Sequence, residues 1–297
     1  MQEVDSLHVS VMPDQVLEWL QPNPGRQFVD GTLGGGGHAR LLAERVAPDG
    51  CVVALDRDLQ AVQAAVPRLV NLPVRLVHAD FRDMGQVLRD LALPLVDGVL
   101  LDLGLSSDQL ADSSRGFSFQ LEGELDLRFD ATTGTPAWRL LQQLSAERLA
   151  DLIYEFGEER FSRRIARRIV EQRARGEIRT AAQLAALVRT CVPRSKHHRI
   201  DPATRTFQAL RIAVNDELGA LEAALHQIPE LLKPGGRVAV ISFHSLEDRR
   251  VKQAFRADPR LVVLTKKPIR PYESEIQRNP RSRSAKLRVA ERSAARG

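Results

Sequence analysis

Arg26-Gln-Phe-Val-Asp30-Gly-Thr-Leu-Gly-Gly-Gly-Gly-His38 runs from a short apolar strand through a glycine loop into a helical pattern. Glycines let the backbone turn tightly and approach a ligand where a Cβ would clash, and the helix N-terminus offers unpaired N–H donors to it. Residues 34–39, Gly-Gly-Gly-Gly-His-Ala, also satisfy the G-x-G-x-x-G/A dinucleotide pattern. Outward from this loop, Cys51-Val-Val-Ala-Leu-Asp56, Val74-Arg-Leu-Val-His78 and Val96-Asp-Gly-Val-Leu-Leu-Asp102 read as three more strands. Helical stretches near 38–47, 58–69 and 83–91 separate them, the cadence of a parallel sheet covered by helices. Asp30, Asp56 and Asp102 close their strands and Asp80 follows the third. Open α/β sheets bind ligands at the carboxyl ends of their strands, so these acids are predicted to share one cleft.

From Leu103 to Thr206 the strand signal disappears. Phe161, Ile165 and Ile169 recur at helical spacing while Arg163, Arg164, Arg167 and Arg168 occupy the flanks and the opposite face, which predicts a helical insertion with a basic side. A long amphipathic helix is expected from Thr206, carrying Phe207, Leu210, Val214, Leu218, Leu221 and Leu225 and stopping by Pro229. Leu232-Lys-Pro-Gly-Gly236 then reads as a turn, Arg237-Val-Ala-Val-Ile-Ser-Phe243 as a returning buried strand, and Ser284-Ala-Lys-Leu-Arg-Val289 as an edge strand. The predicted organisation is α/β, with a discontinuous Rossmann-like core over 1–103 and 207–297 and an inserted, mostly helical domain over 104–206.

Charge is unevenly spread. The 297 residues carry a net charge of only +5, yet residues 160–211 hold 14 basic and 3 acidic side chains and residues 249–297 hold 15 and 4, a net +11 in each block. Two basic blocks on an acidic body point to a polyanionic partner. Cys51 and Cys191 are the only cysteines, both beside valine, which supports neither a disulfide framework nor a thiolate metal site. His197 and His198 lie in Lys-His-His-Arg199 without metal-ligand spacing and read as a solvated loop or a phosphate contact. No metal is expected. With no leader-like N-terminal pattern and no run near the ~18 apolar residues of a membrane span, a soluble cytoplasmic protein without membrane contact is expected.

Asp56 stands about 20 residues past the glycine loop, where a carboxylate accepts ribose hydroxyls. Asp80-Phe81 after the third strand offers an edge contact and an apolar face to an adenine, although a lone phenylalanine also serves a core. Both NAD and S-adenosylmethionine use such a loop and acid. The Leu-Lys-Pro-Gly-Gly turn before the returning strand is similar to the second half of Rossmann-like methyltransferases, and no second dinucleotide half is evident, so the methyl donor is favoured and NAD is retained as the rival. Asp102-Leu-Gly-Leu-Ser-Ser-Asp-Gln109 lacks the Pro-Pro-aromatic sequence of familiar base-modifying enzymes. Asp102 alone remains as an acceptor for an exocyclic amine, in a displacement dominated by positioning. His244 in Ile241-Ser-Phe-His-Ser-Leu-Glu-Asp248 reads either as a structural histidine or as a polar group that orients the target base. No histidine–carboxylate pair is apparent in the sequence.

Taken together, Asp30–His38, Leu100–Ser107, Arg115-Gly-Phe-Ser-Phe119, Leu125-Asp-Leu-Arg128, Gly157–Arg167, Pro202–Arg211, Ile241–Asp248 and Arg283–Arg288 resemble the RsmH/MraW family. Its members are bacterial methyltransferases of the exocyclic N4 amine of a cytidine in the decoding region of small-subunit (16S) ribosomal RNA. The resemblance implies a class I S-adenosylmethionine-dependent core interrupted by a helical substrate domain. It implies donor contacts at Gly36, Gly37, His38, Asp56, Phe81, Asp102 and Gln109. The basic blocks then become an RNA surface, with Arg163, Arg164, Arg167, Arg168, Arg199, Arg205 and Arg211 facing phosphates of the ribosomal RNA or the assembled small subunit. A second copy of the chain is left open as a partner, and a ribosome-assembly factor without turnover is a further reading of the same fold.

Overall fold

The computed structural model describes residues 10–118, 123–193 and 201–294. The chain falls into two compact units, one formed by the described residues up to Asp108 and from Leu218 onward, the other by Gln109–Glu217.

The first unit is built on seven strands: β1 (Gln27–Asp30), β2 (Cys51–Asp56), β3 (Val74–His78), β4 (Val96–Asp102), β5 (Leu232–Ser242), β6 (Leu261–Val263) and β7 (Lys286–Arg292). Their order is β3-β2-β1-β4-β5-β7-β6, with β1 to β5 parallel and β7 antiparallel to both its neighbours. Side chains alternate across a strand, so consecutive apolar residues feed two different cores. Phe28 and Leu100 enter one with Leu42, Val52 and Ile241, while Val29 and Leu101 enter the other with Val53, Leu88 and Val240. A sheet buried on both faces needs this near-continuous Val/Leu/Ile composition. The strand order reverses between β1 and β4, which brings Asp30 and Asp102 side by side at the carboxyl end of the sheet.

Three expectations change. The single long helix from Thr206 is two, Thr204–Asn215 and Glu217–Leu231, broken at Asp216, whose φ of 49° lies in the left-handed region and cannot continue a right-handed helix. Pro229 sits inside the second helix and does not end it. The Leu-Lys-Pro-Gly-Gly turn lies within β5: pairing with β4 begins at Val96↔Leu232, slips, and resumes at Gly98↔Arg237, so the turn is an irregularity absorbed by one strand. The last strand is interior. β7 lies between β5 and β6, and the three-residue β6, too short to stand out in sequence, is the edge.

The second unit is helical, with Ala137–Gln143, Ala146–Gly157, Ser162–Arg173, Ala181–Cys191 and Thr204–Asn215 as its helices. The last of these packs on Ala146–Gly157, and Gln208 donates to the Phe156 carbonyl at 2.9 Å. Buried Asn215 donates to the Leu127 carbonyl at 2.7 Å and accepts from the Phe129 amide at 2.8 Å, tying the irregular segment around Leu127 to a helix. Among the described residues no helix is long and apolar enough to cross a membrane.

Candidate active site

At the carboxyl end of the first unit's sheet, β1 runs directly into the glycine loop. Gly36 caps the helix Gly37–Val46 with φ of 83°, a conformation that a side chain would strain. Gly31 turns against β4, where a Cβ would lie 2.5 Å from a Leu101 methyl group. Asp56, at the end of β2, braces the loop: one carboxylate oxygen accepts from the Gly34 amide at 2.9 Å and the other from Asp58 at 2.8 Å. Burial nevertheless pushes its pKa up to about 6, the two amide bonds pulling the other way.

Asp30 is fully buried, and burial pushes it up to about 6 against the opposing pull of His38 and Thr32. Its Oδ1 accepts from the Thr32 amide at 3.1 Å, and its Oδ2 has no partner. Thr32 Oγ1 accepts from the Asp102 amide at 2.7 Å, so one hydroxyl links the ends of β1 and β4. Buried His38 lies with Nε2 3.4 Å from Asp102 Oδ2, while Asp102 Oδ1 has no partner. The site thus holds a histidine–carboxylate pair that sequence reading does not find, because 38 and 102 meet only through the β1–β4 pairing. Thr32 was also without an assigned role in the sequence. A threonine two residues after a strand-end aspartate is its one local signal, since such pairs form side-chain-capped turns.

The stability consequence has a definite sign. An aspartate whose folded pKa is raised from 3.8 to about 6 contributes stability that is present below the unfolded value and lost as pH rises through the folded one. Asp30→Asn keeps an acceptor for Thr32 and cannot ionise. It is expected to gain about 3 kcal/mol over the parent chain between about pH 4 and about pH 7.5, read by denaturant titration at both pH values. A gap that stays constant with pH would contradict this.

The remaining sequence-assigned residues separate. Phe81 is partly buried and packs against the core around Val29 and Leu101, while Asp80 is engaged by Arg57 and Arg82 at 3.3 Å each. Gln109 is buried in the short helix Ser107–Ala111 and belongs to the second unit. His244 has a structural task. It caps the helix Ser245–Ala257, its Nδ1 accepting from the Glu247 amide at 3.4 Å while Glu247 accepts from the Phe243 amide at 2.8 Å.

In the second unit, Arg163, Arg164, Arg167 and Arg168 are exposed on Ser162–Arg173, whose Ile165, Ala166 and Ile169 are buried. Arg164, Arg167 and Arg168 line a groove of about 390 Å³ with Glu171, Thr190 and Cys191. Arg205 is exposed. Arg211 differs: both its terminal bonds go to Glu217, at 2.8 and 2.9 Å, in a largely buried pair. Arg199, His197 and His198 lie outside the described residues.

A parallel sheet that reverses between β1 and β4, an antiparallel β7 slotted between β5 and β6, and a glycine loop facing strand-end carboxylates define a Rossmann-like core of the class I methyltransferases. The family model described as the MraW methylase family matches residues 5–293, and the chain belongs to that family. A Rhodopirellula baltica protein named ribosomal RNA small subunit methyltransferase H is 53% identical over 296 residues, covering 96% of this chain and 91% of its own. A protein of the same name from Thermomicrobium roseum is 50% identical over 309 residues, covering 97% and 94%. A solved chain titled as a putative rRNA methylase from Clostridium thermocellum aligns at 14% identity over 96% of this chain and all of its own, with a TM-score of 0.47.

Proposed function

We propose that this protein methylates the exocyclic N4 amine of a cytidine in the decoding region of small-subunit (16S) ribosomal RNA, using S-adenosylmethionine. The observation that carries the reading is the strand-end site itself, on a chain about half identical to proteins named ribosomal RNA small subunit methyltransferase H. The site's residues fit the donor. The glycine loop leaves backbone N–H groups at a helix N-terminus, Asp56 stands at the ribose position, and the unpartnered oxygens of Asp30 and Asp102 suit a positive sulfonium. When bound, the donor supplies an electrophilic methyl group. The chain's own part is to place the acceptor nitrogen and take a hydrogen bond from it, which falls to Asp102, and to hold the RNA, which falls to the exposed arginines of the helical unit. A stacked cytosine hides its amine, so the base is extruded before transfer.

Asp56→Ala is expected to weaken donor binding about 100-fold by calorimetry, because charge-assisted bonds of about 1.5–3 kcal/mol vanish and the loop loses its brace at Gly34. The function itself is tested by incubating the enzyme with tritiated donor and small ribosomal subunits from a strain lacking the modification. Label is expected in N4-methylated cytidine on nucleoside mapping. Label in another nucleoside would overturn the reading. Binding without any transfer would instead leave an assembly factor, and binding of a nicotinamide dinucleotide in place of the methyl donor would return the oxidoreductase.

A further inference from the structure

Resting on amine methylation as the reaction, we infer that His38 is a positioning residue that acts through Asp102, fixing one carboxylate oxygen so that the other meets the acceptor nitrogen. Asp102 is held at two points: its amide donates to Thr32 Oγ1 at 2.7 Å and its Oδ2 faces His38 Nε2 at 3.4 Å. Oδ1 is left without a partner. A primary amine is a donor that keeps a lone pair for attack, and an ionised carboxylate oxygen is an acceptor only. The geometry therefore reserves Oδ1 for the amine and Oδ2 for the imidazole.

The imidazole is built to stay charged. It lies in the first turn of the helix Gly37–Val46, 5% exposed, with Asp102 facing it from β4, Asp30 from β1 and the Val11 carbonyl from the N-terminal segment. Burial pulls its pKa down, but the bond and charge of Asp102, then the charge of Asp30, outweigh that pull and raise it above the ordinary histidine value. Two carboxylates and one imidazolium leave a single net negative charge at the strand ends, matched to the single positive charge of a sulfonium. In the transfer the acceptor nitrogen forms the N–C bond as the C–S bond breaks and its electron pair stays on sulfur. Nitrogen then releases one proton, which Asp102 Oδ1 receives and passes to water. The imidazolium keeps Oδ2 occupied throughout, so the carboxylate does not rotate out of line, and orientation of this kind accounts for large rate factors.

Two measurements test this. In the free enzyme, without donor, the histidine ring signals followed by NMR across pH should place His38 above the ordinary histidine range and move it down in Asp102→Asn. A wild-type His38 titrating at or below the ordinary value would overturn the inference, and this arm needs no turnover. In the labelling assay, His38→Gln should lose about 10- to 100-fold in kcat with both KM values within about threefold. Its kcat–pH profile should also lack the alkaline step that the wild-type imidazolium produces on losing its proton. A His38→Gln enzyme with unchanged kcat and only a raised donor KM would reduce His38 to a donor contact and overturn the inference. Failure of the wild-type enzyme to label the subunit would count against the proposed function instead, and the NMR titration would still decide the pairing.

Discussion

Asp102→Ala is expected to lower the single-turnover rate of methyl transfer to small subunits by about 10²- to 10⁴-fold, with donor affinity falling far less. The size follows from what the side chain does. Its backbone is fixed by Thr32 and its Oδ2 by His38, leaving Oδ1 as the unpartnered acceptor at the point where β1 and β4 diverge. Alanine removes the group that accepts the amine hydrogen and opposes the positive charge developing on nitrogen. Asp102→Asn keeps the shape but offers a weaker acceptor, and should fall between alanine and the parent. Full turnover in the alanine variant, with the subunit as substrate, would remove Asp102 from the chemistry.

Changing Arg163, Arg164, Arg167 and Arg168 together to alanine is expected to weaken RNA binding by about 10²- to 10³-fold near physiological salt, while leaving donor binding unchanged. The four guanidinium groups are exposed, and the helix that carries them is held from its other face by Ile165, Ala166 and Ile169, so its fold does not depend on them. Each lost phosphate contact should also flatten the dependence of log affinity on log salt by about 0.7, the single-strand value. A filter-binding series from about 50 to about 200 mM salt reads both effects. Equal affinity and equal slope in the variant would place the RNA elsewhere. Arg211→Ala belongs to a different class: it strands Glu217 in a largely buried pair, and its cost should appear in stability before it appears in RNA binding.

The fold of the first unit was legible where local pattern and packing agree. Apolar runs ending in Asp30, Asp56 and Asp102 mark β1, β2 and β4 because a sheet buried on both faces needs such runs. The same pattern fails at the other side of the sheet. β6 has three residues and no periodicity to read, and β7 was mistaken for an edge because nothing in Lys286–Arg292 announces a partner on each side. The helix break at Asp216 was hidden because the apolar spacing continues through it while the backbone does not. In the site, the glycine loop and Asp56 were visible as motifs. The Asp30–Thr32–Asp102–His38 arrangement was not, because it exists only once β1 and β4 are paired. His244 shows the converse: its position after a strand suggested chemistry, and its bonds with Glu247 give it a helix to cap.

The pairing of β4 with β5 sets an order on how the protein comes into being. Val96–Asp102 must wait for Leu232–Ser242, with the entire helical unit made in between, and the outer edge of β5 stays uncovered until Lys286–Arg292 has followed. Contacts so remote in the chain pay their loop-closure entropy before any reward, which slows folding. A nascent chain therefore carries its glycine loop, Asp56 and Asp102 well before the sheet beneath them is closed. During that interval the unpaired side of β5, rich in valine and isoleucine, is the segment most exposed to wrong partners.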